Sequence, residues 1–136
     1  MSFARVHSAQ TTLLSAHPIT IEVDVSGGLY SFSIVGLPDK AVEESRDRVS
    51  SAIKNTGYAS PKSNNHKVVV SLAPADIKKE GALFELGIAL AYLAASEEIE
   101  FDATDRVFLG ELALDGSIRF VKGALPLVRK ARDDGF

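Results

Sequence analysis

The sequence predicts an α+β domain, and three observations predict it. Apolar and polar residues alternate with period two from Ile19 to Val25 and again from Tyr30 to Val35, as in strands with one wet face. Between Val42 and Thr56, apolar or small residues recur at helical spacing. From Ala82 to Ser96 the chain is apolar nearly all round, which a helix tolerates only when packed on most sides. A length of 136 residues supports one hydrophobic core without staples, so residues 1–136 are expected to form a single domain.

Taken in order, Phe3–Ser8 is a short strand candidate. Ile19–Val25 and Tyr30–Val35, joined across Gly27-Gly28, are expected to pair as an antiparallel hairpin. Gly36-Leu37-Pro38 ends the strand and Asp39 is the expected N-cap of a helix. That helix carries the stripe Val42, Ser45, Val49, Ala52, Ile53 and Thr56, with Glu44 and Arg48 paired on its wet side and Gly57 at its C-terminal end. After the polar loop Ser60–His66, the β-branched run Lys67–Leu72 reads as a more deeply buried strand, stopped by Pro74. A charged connection, Ala75–Gly81, leads to the core helix Ala82–Ser96. Val107–Leu112 and Ser117–Val121 form a hairpin about Asp115-Gly116, and Ala124–Asp133 is the last helix.

Composition excludes several chemistries. The chain has no cysteine, so disulfides, thiolate nucleophiles and cysteine-based zinc sites are ruled out. His7, His17 and His66 lack ligand spacing, and no metal site is expected. Net charge is −3 with both signs interspersed, which gives no bulk-basic footprint for nucleic acid. The start of the chain lacks the features of a signal peptide, and the apolar stretch Ala82–Ala95 is too short to span a bilayer. A cytoplasmic protein without a membrane partner is the expectation.

Three stretches resemble the magnesium-chelatase-like AAA+ proteins of the ComM/YifB type. They are Ser33–Asp39 with Arg46-Asp47-Arg48-Val49, Leu72–Asp76 with Lys79-Glu80-Gly81, and Gly110–Gly116, in the family's order and spacing. After Lys79-Glu80-Gly81 the sequence departs from the family pattern, with Glu85 in place of its acidic residue and Gly87 in place of its proline. The resemblance implies a ribosomal protein S5 domain 2-like (Lon protease domain-like) fold, with a mixed sheet packed against helices. It further implies an N-terminal fragment of a longer protein whose AAA+ module binds ATP and Mg and assembles into a ring oligomer, with competence-linked members acting in DNA processing.

A Lon-like fold suggests a peptidase, which requires a serine nucleophile and a lysine base within proton-transfer reach. Superposing the Lon motifs places Leu83 at the serine position and Leu125 at the lysine position, with Lys122 nearby but lacking a hydroxyl to activate. Phosphate gripping by a P-loop needs Gly-Lys followed by Ser or Thr, which occurs nowhere in the chain. The carboxylate pairs Glu43-Glu44, Glu97-Glu98 and Asp133-Asp134 read as solvating charge, and Glu85 as an exposed acid stabilised by the helix N-terminal dipole. No catalytic residue, cofactor-binding residue or metal ligand is therefore expected.

The expected function is that of a non-catalytic N-terminal domain of such an ATPase, serving subunit assembly or guidance of DNA. Its partners would be its own AAA+ module, neighbouring subunits and DNA. Arg46, Arg48, Lys62, Lys67, Lys78 and Lys79 are the candidate contact residues. The alternatives are a stand-alone nucleic-acid-binding module and a Lon-type serine-lysine peptidase. Uncovered apolar surface, and self-association through it, are expected near residues 124–136.

Overall fold

Strand β1 (Phe3–Thr12) pairs antiparallel along its whole length with β2 (Ser15–Gly27), from Phe3 opposite Asp24 to Thr12 opposite Ser15. The structure is a computed structural model and describes residues 2–12 and 15–136. Both strands exceed their sequence-based bounds, because pairing in register recruits flanking polar residues that carry no hydrophobic signal of their own.

The expected hairpin between Ile19–Val25 and Tyr30–Val35 does not form. Strand β4 (His66–Ala73) lies between β2 and β3 (Ser31–Val35), antiparallel to the first and parallel to the second, giving the order β1-β2-β4-β3. The turn after β2 crosses the start of β4, where the Gly28 amide donates to the Asn65 carbonyl at 3.1 Å. Val68, Val70 and Leu72 are fully buried, so β4 takes the interior position and the more exposed β3 becomes an edge.

One face of the sheet carries Val6, Ile19, Ile21, Val23, Val25, Val68, Val70 and Leu72 into a single core. Helices α1 (Lys40–Asn55) and α2 (Glu85–Ala95) cover it. Helix α1 starts at Asp39, whose Oδ1 accepts from the Val42 amide at 2.8 Å, and it buries Val42, Ser45, Val49, Ala52 and Ile53. Thr56, the last member of the expected stripe, is exposed. The helix stops where the Tyr58 amide reaches Ile53 O and the left-handed Gly57 reaches Lys54 O, both at 3.2 Å, a Schellman closure.

Helix α2 begins three residues later than the apolar run suggests, at Glu85. Its Gly87 permits close approach to the sheet, since a Cβ there would stand 2.6 Å from the Ile21 side chain. The C-terminal hairpin is shorter than expected, with β5 (Glu111–Leu112) and β6 (Ile118–Arg119) pairing over two residues each. Helix α3 (Ala124–Asp133) packs against β1 and β2 with Leu127 as its buried residue. Just past its end, Phe136 meets the outward-facing His7 of β1, ring centroids 5.2 Å apart. Among the described residues, no helix is long and apolar enough to cross a membrane.

Candidate functional site

The three sequence motifs converge on the start of α2. The first and second motifs are joined by backbone: the Lys79 amide donates to Leu37 O at 3.0 Å and the Asp39 amide to Lys79 O at 2.9 Å. Asp39 serves both, capping α1 with Oδ1 and accepting from the Gly81 amide with Oδ2 at 3.2 Å. Gly36 belongs to the same joint, because a Cβ there would lie 2.1 Å from the Leu72 carbonyl oxygen. The third motif docks through Gly110, whose amide donates to Leu83 O at 2.9 Å and whose carbonyl accepts from Leu86 N at 3.0 Å.

Lys79 has 0% exposure and is not a surface cation. Its Nζ donates to Gly36 O at 2.7 Å and to Pro74 O, so the ammonium ties the first motif to the second. Burial lowers its pKa, outweighing the attraction of Asp76. The expectation of a partner contact at Lys79 is corrected accordingly: the side chain is enclosed, and two of its three ammonium donors are bound to backbone carbonyls inside the fold.

Glu85 reverses its sequence reading as well. It is 0% exposed, not an acid in water near the helix start. Its Oε2 accepts from Ser45 Oγ at 2.8 Å and from Arg48 Nε at 2.5 Å, and its Oε1 accepts from the Leu112 amide at 2.9 Å. One carboxylate therefore holds α1, α2 and β5 together through charge-assisted bonds. Arg48 is drawn inward by the same pair and also donates to Ala41 O at 3.2 Å. Burial opposes the Arg48 charge most strongly, but hydrogen bonding to Glu85 and the fields of Glu85, Glu111 and Glu44 together raise its pKa. Arg48 is thus an internal partner of Glu85, although its side chain keeps 27% exposure. The sequence signal that could have shown this was the acid interrupting an apolar helix, one motif away from an arginine.

The other candidate cations, Arg46, Lys62, Lys67 and Lys78, are exposed. Arg46 is tethered to Phe32 O at 3.3 Å and Glu43 O at 3.0 Å. Lys62 and Lys67 flank the loop leading into β4, whereas Lys78 follows its other end. An eight-residue strand spans roughly 23 Å, so the fold does not gather these cations into one cluster.

Beside the junction lies a groove of about 690 Å³, lined by Gly81–Leu83, Glu111 and Ile118–Lys122. Leu83 forms part of its wall, and Lys122 also reaches it. Leu125 does not line it and is 64% exposed on the first turn of α3. No lining residue bears a hydroxyl or thiol, so Lys122 has no side-chain nucleophile beside it in the groove to deprotonate. Sequence reasoning missed this groove as a surface feature, because Ser117–Val121 read as a strand and its exposure depends on what packs against it.

Residues 21–136 match the family described as subunit ChlI of Mg-chelatase. The chain is 46% identical over 136 residues to the uncharacterized protein YifB of Escherichia coli, covering 99% of this chain and 26% of that protein. It is 47% identical over 132 residues to the corresponding Salmonella typhimurium protein, with 96% and 26% covered. It is also 41% identical over 133 residues to the competence protein ComM of Haemophilus influenzae, with 97% and 26% covered. The chain thus spans about a quarter of the length of these curated relatives. With the family match running through most of its residues, the chain belongs to the family of subunit ChlI of Mg-chelatase and is homologous to the N-terminal quarter of the YifB and ComM proteins.

Proposed function

We propose that this domain has the ribosomal protein S5 domain 2-like fold of Lon-type peptidases and performs no peptide hydrolysis. It serves instead in subunit assembly, or in guidance of DNA, for a magnesium-chelatase-like AAA+ ring motor. ATP and Mg²⁺ belong to the ATPase module of that motor, because the present sequence has no P-loop. Exposed Arg46, Lys62, Lys67 and Lys78 are the surface cations available to a DNA backbone or a neighbouring subunit.

The observation that carries the reading is the composition of the groove at the start of α2. Leu83 stands in its wall, and Lys122 is there without a hydroxyl or thiol partner. Peptide hydrolysis of the Lon type begins with proton transfer from a serine hydroxyl to an amine, and these lining residues supply only the amine. Incubation with casein and with an active-site acylating reagent should give neither cleavage nor covalent adduct. Cleavage that disappears in Lys122→Ala would overturn the proposal.

A further inference from the structure

Phe120 is 88% exposed, and the exposed cations Arg119 and Lys122 flank it in the chain. Neither cation has a carboxylate within 4.0 Å among the described residues. All three residues line the 690 Å³ groove, whose apolar walls include Leu83, Ile118 and Val121. Arg119 stands opposite Glu111 across the β5–β6 hairpin, so the three side chains leave one net positive charge beside the ring, and that excess rests on Lys122, a residue type depleted in protein interfaces. The exposed ring and its flanking cations suit a ligand that is flat and apolar in its middle and anionic on both sides.

We infer that Phe120 is a stacking platform for one unpaired base of a single-stranded nucleic acid, with Arg119 and Lys122 meeting the phosphates on either side. The two cations are three residues apart, at most about 10 Å along the backbone, so their long side chains can bracket adjacent phosphates. The groove volume falls in the range of small-ligand sites and accepts a nucleobase. Glu111 repels phosphate from the groove, which turns the base inward and the backbone outward, and its carboxylate can accept from a base N–H such as that of thymine N3. This inference rests on the DNA-guidance part of the proposed function and supplies it with a binding element outside the cations identified from sequence.

The test is fluorescence anisotropy of a labelled oligothymidylate of roughly 12 nucleotides, titrated at several salt concentrations. Phe120→Ala should weaken binding by about tenfold, within the range of base–aromatic stacking, and Phe120→Tyr should restore it. Arg119→Ala and Lys122→Ala should each lower the salt slope by about 0.7. The chain has no tryptophan, so Phe120→Trp introduces a sole indole whose emission should be quenched on binding. Circular dichroism should be unchanged throughout, as the ring is exposed. Equal affinity of wild type and Phe120→Ala would overturn the stacking site while leaving DNA guidance to the other cations. No saturable binding by the wild type would remove both. Loss of self-association in Phe120→Ala, with DNA binding intact, would identify the site as a contact with a second copy.

Discussion

Glu85 shows how one side chain can unite segments far apart in sequence. Its carboxylate receives donors from Ser45, Arg48 and the Leu112 amide, and it has no exposure to water. Removing it leaves a half-buried guanidinium and a buried amide without their acceptor, which costs about 2 kcal/mol after partial rehydration of the arginine. Glu85→Ala should therefore lower unfolding stability in urea by about that amount. Glu85→Gln keeps an acceptor for the Leu112 amide and should cost less. A loss below about 1 kcal/mol for the alanine variant would mean that Arg48 escapes to solvent and rehydrates. Sequence reading placed Glu85 in the first two turns of a helix but put it in water. An acid near a helix N-terminus is explained locally by the dipole, whereas its actual partners lie on α1 and β5.

At the scale of elements, the β5–β6 hairpin is governed by its turn. Asp115 Oδ1 accepts from Ser117 N at 2.9 Å and Ser117 Oγ at 2.6 Å, and the hydrogen bonds from Ser117 hold its pKa below the ordinary 3.8. A depressed folded-state pKa means that the charged form is the one favoured by folding. Its contribution is complete above the unfolded value and disappears as pH falls through the lowered one. The Ser117 amide resonance should accordingly titrate with a midpoint below 3.8, and Asp115→Asn should abolish that titration.

Elements whose determinants are local were readable in the sequence. Helix α1 is the clearest case, because cap, stripe and Schellman glycine all lie within twenty residues of one another. The β2–β3 connection was misread because alternation identifies a strand and its buried face without naming its neighbour. Hydrogen bonding to β4 decided that pairing, some forty residues along the chain. The groove was hidden for a related reason. Leu83 was identified from its motif, but Phe120 looked like a strand residue until its exposure was known.

For the whole molecule, the apolar balance is uneven. The core is closed around the sheet, α1 and α2, whereas Leu125, Val128 and Phe136 remain exposed on and just past α3. These residues fall within the 124–136 region where uncovered apolar surface was expected. Sedimentation equilibrium should show concentration-dependent self-association, and Leu125→Glu with Val128→Lys should abolish it. Strictly monomeric behaviour at about 100 μM would show that this surface is too small or too broken to drive association.

The placement of β4 also bears on how a nascent chain acquires this structure. As the polypeptide leaves the ribosome, β1 and β2 can zip together at once, because each is the other's immediate partner. Strand β3 emerges next but has no mate until residues 67–71 have been made, for its neighbour in the sheet among the described residues is β4. Through that interval Phe32 and Ile34 travel unshielded, a window in which a chaperone or a stray strand could capture them. Insertion of an interior strand therefore makes the four-stranded sheet complete only once β4 has emerged, rather than a product of addition in chain order.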